Sequence, residues 1–177
     1  GIVDVNLSST LSSASLWSQE THRLLRYLNP IDRQAIEKAE KSNDYSSLEF
    51  DIANKHYLKL YVADPDDPNR PECLTRPKVI GTESYEVAWG PCEYTPLGNL
   101  RDYEYTDKLS KISCPVLFCS GANDESTPLM NKTMFEKIRT EKKWVLFSKS
   151  RHMTYYEENE KYEQEVMSFM DSHDERK

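Results

Sequence analysis

Residues 116–128 read VLFCSGANDESTP, and this stretch decides the fold. The apolar run that starts at Val116 ends in Gly121, an acidic residue stands three positions on at Asp124, and Pro128 opens an amphipathic segment. An apolar run of strand length, a glycine turn and a proline in a first helical turn predict a buried strand, a tight turn bearing a carboxylate, and a helix. A second unit of the same kind follows, because 144–147 is a short apolar run and His152 lies just beyond it. Two consecutive strand ends therefore offer an Asp and a His, and the carboxyl ends of strands in an open α/β sheet are where ligands bind. Taken singly, Asp124 reads as a turn cap and His152 as a bridge between backbone groups. Taken together, in this order and placement, they read as an acid and a base that work as a pair.

Working outward, three further segments carry a pattern: ESYEVAWGPCEYT at 83–95, LRDYEYTDKL at 100–109 and SRHM at 150–153. With Gly121, Asp124 and Pro128 they resemble the carboxyl-terminal part of an α/β-hydrolase, and more narrowly a proline iminopeptidase, a serine aminopeptidase that removes an amino-terminal residue, often proline, from peptides. The GxxDxxxP spacing of 121–128 fits many α/β-hydrolases, whereas a WGPCEYT segment ahead of it points to this peptidase group. The resemblance runs from a first strand over 2–7 to a last helix near 158–170.

The resemblance implies an α/β fold: strands six, seven and eight of the hydrolase sheet with an inserted α-helical cap. It divides the chain into a core strand at 1–11, the cap at 12–108 and the carboxyl-terminal core at 109–177. It also implies roles. Asp124 accepts a hydrogen bond from His152, fixes its tautomer and stabilises the imidazolium formed when His152 takes a serine proton. Glu93 and Glu125 match the family's two glutamates for the substrate's free α-ammonium, and Tyr85 and Trp89 help wall an apolar pocket for the first side chain. Read as plain residues, Glu93 is a solvated cap residue, Glu125 an acid favoured near a helix N-terminus, and Tyr85 and Trp89 cap core. The partner implied is a peptide with a free amino terminus, with no cofactor and no metal.

The serine is the part that the sequence does not supply. In α/β-hydrolases the nucleophile precedes the acid and the His, on a G-x-S-x-G elbow. The glycines are Gly1, Gly81, Gly90, Gly98 and Gly121, no two of them four apart. The run SSTLSSAS at 8–15 follows an apolar strand without a flanking glycine, which speaks against a nucleophile there, and the resemblance implies that the end of this strand lines the pocket. The expectation is a chain that begins in mid-domain, inactive alone, whose first strand seeks either the missing amino-terminal half or a second copy through its open edge.

A net charge of −7, with acidic residues spread along 177 positions, gives no footprint for nucleic acid or a membrane surface. Cys73, Cys92, Cys114 and Cys119 have no metal-type pairing, and a reducing cytoplasm is the default. The 12–108 insertion reads as helical. Trp17, Thr21, Leu24, Leu25 and Leu28 share one face, Asn29 and Pro30 start a second helix running to about Lys41, and 46–49 (SSLE) is a capping box for a third. That third helix is expected to turn Ile52, Ala53, His56, Tyr57 and Leu60 inward, and the prolines of 64–71 to break it. A fourth helix is expected over 82–89, stopped by Gly90 and Pro91; His22 and His56 read as packing or surface residues. Two other readings stay open: a different α/β-hydrolase of esterase or epoxide hydrolase type, in which nothing needs a Glu93 and Glu125 pair, and a non-catalytic binding module.

Overall fold

The computed structural model describes residues 4–6, 11–61 and 82–173. The proline-rich break at 64–71, Cys73, Gly81 and the first serines of the 8–15 run lie outside them. The chain divides into two compact units, one formed by 1–13 with 104–177 and the other by 14–103.

The first unit is built on a three-stranded parallel sheet ordered β1 (Asp4–Asn6), β2 (Val116–Gly121), β3 (Lys142–Phe147). Asp4 pairs with Val116, and Val116 through Gly121 pair in step with Lys142 through Phe147. All six residues of β2 are buried, as a strand covered on both faces must be, and its side chains alternate between two clusters. Leu117 and Cys119 join Val145, Phe147 and Phe169, the last from α7 (Asn159–Ser172). Val116 and Phe118 pack with Met134 and Ile138 at the end of α5 (Pro128–Lys137) and with Trp144. Two helices thus sandwich this strand, whose Val116, Leu117 and Phe118 side chains each contribute about 1.5–3 kcal/mol by leaving water.

Pro128 occupies the first turn of α5 and Thr127 caps it, its hydroxyl accepting from Met130 N. The 3₁₀ turn Thr106–Lys111 leads toward β2, and Ser12 is pinned beside it: Tyr105 N donates to Ser12 O at 2.7 Å and the Thr106 hydroxyl to Ser12 Oγ at 3.0 Å.

The second unit is helical: α1 (Ala14–Leu24), a 3₁₀ turn (Leu25–Tyr27), α2 (Pro30–Ser42), α3 (Leu48–Tyr61) and α4 (Thr82–Ala88). Trp17, Thr21, Leu25 and Leu28 are buried, while Leu24, predicted on the same face, is half-buried because the helix tightens after it. Asn29 caps α2 through Asp32 N, and Asn43 ends it in the left-handed region at φ 52°.

The start of α3 differs from the expected capping box. Ser47, not Ser46, faces the helix end and accepts from Phe50 N; Ser46 donates both its amide and its hydroxyl to Asp44 Oδ1 in a local turn. The stripe Phe50, Ala53, Tyr57 and Tyr61, at spacings of three and four, takes the buried face, and Ile52, His56 and Leu60, expected to face inward, lie a step round the helix and are exposed. His22 and His56 each meet a carboxylate, Glu40 at 2.8 Å and Asp32 at 2.7 Å. α4 ends just before Trp89, and Gly90 follows at φ 88°, where only glycine is unstrained.

Candidate active site

Strand β2 delivers Asp124 and Glu125 on the turn that follows it. Asp124 is buried, and its Oδ1 accepts from Ser126 N at 3.0 Å, closing a local turn. Asn131, reaching back from α5, donates to Ser126 O at 2.8 Å and to Thr127 O at 3.2 Å and so braces the same turn.

The ring of His152 approaches from the segment after β3. Its Nδ1 lies 3.0 Å from Asp124 Oδ1 and 3.8 Å from Glu125 Oε1. An ionised carboxylate can only accept, so in a hydrogen bond with it Nδ1 carries the proton and Nε2 is the basic nitrogen. The imidazole is 23% exposed and both carboxylates are essentially sealed from solvent. Asp124 therefore does both things its position suggested: it caps the turn and it meets the His.

Backbone contacts carry His152 to this point. Ala122 N donates to Phe147 O at 2.9 Å and Asn123 N to Ser150 O at 3.1 Å, so the two loops lie against each other. The approach is close enough to require Gly121, where a Cβ would stand 2.0 Å from Arg151 O. On its other side the segment meets two carboxylates that the sequence did not single out. Glu158 Oε2 accepts from Lys149 N at 2.9 Å and from Ser150 Oγ at 2.7 Å. Glu157, the last residue of α6 (Thr154–Glu157), accepts from Arg151 N, Arg151 Nε and Met153 N. No motif foretells such contacts, since any acid in the first turns after the His could make them.

Glu93, Tyr85 and Trp89 belong to the helical unit, and each is half-buried there. Helix α1 fixes the segment that carries Glu93: Trp17 Nε1 donates to Glu93 O at 2.6 Å and Thr21 Oγ1 to Tyr94 O at 2.9 Å. The Thr95 hydroxyl donates to Glu40 Oε1 at 2.6 Å, and Glu40 in turn meets His22. That hydrogen bond raises the pKa of His22 against the opposing effect of burial. Burial works against the Glu40 charge, but the hydrogen bonds from His22 and Thr95 outweigh it and leave its pKa lowered. Burial pushes Cys92, next to Glu93, up to about 11, so it is a packed thiol rather than a thiolate. Trp89 stacks at a tilt on Trp17 with centroids 5.3 Å apart. A groove of about 730 Å³ opens beside Thr95, Pro96 and Leu97 in this unit.

Among the described residues no group of three or more His, Cys, Asp and Glu could hold a metal ion, and no helix is long and apolar enough to cross a membrane.

No family model matches the chain. Curated relatives do. A proline iminopeptidase of Lactobacillus helveticus (strain DPC 4571) is 48% identical over 176 residues, covering 99% of this chain and 59% of its own length. One from Lactiplantibacillus plantarum is 43% identical over 174 residues, 98% of this chain and 60% of its own. The chain therefore spans 59–60% of the length of these relatives. The crystal structure of a proline iminopeptidase from Mycobacterium smegmatis superposes with a TM-score of 0.80 at 24% identity, over 97% of this chain and 57% of that one, a likeness of fold.

Proposed function

We propose that the chain belongs to the proline iminopeptidase family of α/β-hydrolases, with the fold of its carboxyl-terminal part, and that it supplies the acid and the base of a serine aminopeptidase that releases an amino-terminal residue, preferentially proline. The observation that carries this reading is the 3.0 Å contact between His152 Nδ1 and the buried Asp124, at the ends of two neighbouring parallel strands.

In the proposed mechanism Asp124 holds the Nδ1–H tautomer, leaving Nε2 to take the proton of a serine Oγ as it attacks the scissile carbonyl. Asp124, with Glu125 close behind, then stabilises the imidazolium. The proton passes to the leaving amine as the C–N bond breaks, and water, deprotonated by the same nitrogen, releases the acyl group from the serine. No G-x-S-x-G occurs within these 177 residues, so the serine is assigned to a segment outside them.

Recognition of the free α-ammonium is assigned to Glu93 and Glu125, two carboxylates that esters and epoxides do not call for. Tyr85 and Trp89 are assigned to the wall of the apolar pocket. The test is kinetic, in the full-length protein with a prolyl arylamide. Asp124→Asn keeps the shape but not the tautomer, and kcat should fall on the order of ten-thousandfold with KM little changed. Activity within a few fold of the parent would remove Asp124 from the mechanism and the proposal with it.

A further inference from the structure

We propose that Glu157 is a positioning residue for His152, fixing the direction of the imidazole by tying down the backbone on both sides of it. The inference rests on the reading of His152 as the general base.

His152 stands between β3 and the four-residue helix α6, outside any strand ladder that would hold its peptide planes. One carboxylate oxygen replaces the ladder. Glu157 Oε2 accepts from Arg151 N at 2.8 Å and from Met153 N at 3.3 Å, the amides of the residues immediately before and after the histidine. The other oxygen, Oε1, accepts from Arg151 Nε at 2.9 Å, which aligns the carboxylate. Only 11% of the Glu157 side chain is exposed, and a carboxylate so far from water is held by these charge-assisted bonds. Glu157 N donates to Met153 O at 2.8 Å, so residues 153 and 157 are linked in both directions.

A helix cap alone would need the bond to Met153 N. The bond to Arg151 N reaches past the helix to the far side of His152, and it makes this carboxylate a bracket around that residue. Glu158 anchors the same loop but at Lys149 and Ser150, farther from the ring. The two acids therefore separate stability of the loop from direction of the imidazole.

The experiment compares Glu157→Gln with Glu158→Gln in the full-length protein, reading the downfield proton resonance of His152 Nδ1–H in its hydrogen bond to Asp124, together with kcat and KM. An amide cannot accept from Arg151 Nε and both backbone amides at once. Glu157→Gln should lose or broaden the resonance and lower kcat roughly tenfold to a hundredfold with KM unchanged, as misplacement of a catalytic group does. Glu158→Gln should lower the melting temperature and keep both the resonance and kcat. The inference fails if the resonance survives in Glu157→Gln, if both variants lose it equally, or if the parent protein lacks it. Where Glu157→Gln does not fold, Glu157→Asp, which withdraws the charge by one methylene, is held to the same criterion. The resonance is read without turnover, so a parent that shows it but cleaves no prolyl substrate refutes the aminopeptidase reading and leaves the bracket standing.

Discussion

A single oxygen, Asp124 Oδ1, closes its own turn through Ser126 N and faces His152, so the acid is placed by the backbone it caps. The same closeness makes Gly121 sensitive. In Gly121→Ala the new Cβ meets Arg151 O and Ser150 O, both backbone atoms, and the loop bearing His152 must move. Overpacking of this kind costs about 1–3 kcal/mol; we expect a lowered melting temperature in denaturation and a loss of activity larger than the loss of folded protein explains. Two further substitutions test substrate recognition. Removing one carboxylate from a desolvated ammonium site costs on the order of 2–5 kcal/mol, so Glu93→Gln and Glu125→Gln should each lower kcat/KM for free-amine substrates by roughly thirtyfold or more, measured at steady state. Asp124 and His152 are legible in the sequence because strand, turn and helix signals fix both to strand ends. Glu157 is not, because a side chain that serves backbone amides leaves no periodicity and no spacing behind.

At the scale of elements, β2 and α5 read directly from residues, since a run buried on both faces, a glycine and a first-turn proline have few other uses. Helix α3 read one residue out of place. Two adjacent serines precede it, and the choice between them is made by Asp44, which takes Ser46 into a turn and leaves Ser47 as the cap. Ser47→Ala should then cost about 1 kcal/mol of stability, a typical cap loss, and Ser46→Ala clearly less, in parallel urea titrations. The His22 and Glu40 pair between α1 and α2 gives the helical unit a pH dependence. His22, its pKa raised, contributes fully below the ordinary histidine value of about 6.5 and loses that contribution as pH rises through its elevated pKa. Glu40, its pKa lowered, contributes above the ordinary carboxylate range and loses its part as pH falls through the depressed value. His22→Gln should therefore flatten the alkaline decline in melting temperature expected of the parent, and an unchanged decline would show that the pair does not matter to folding.

At the scale of the molecule, the chain spans 59–60% of the length of the curated relatives named above, and its 177 residues contain Asp124 and His152 but no G-x-S-x-G. On the proposed mechanism neither residue does chemistry alone, so the 177-residue segment by itself should not hydrolyse a prolyl arylamide above background. Turnover that survives repurification and disappears on mutation of one of Ser8, Ser9, Ser12, Ser13 or Ser15 would place the nucleophile within these residues instead. The most direct test of the aminopeptidase reading is one ratio in the full-length protein: kcat/KM for a prolyl arylamide with a free amino terminus against the same substrate acetylated at nitrogen. Carboxylates that recognise an ammonium predict efficient cleavage of the first and next to none of the second. Equal cleavage of both would contradict the assignment of Glu93 and Glu125 and leave a hydrolase of another specificity.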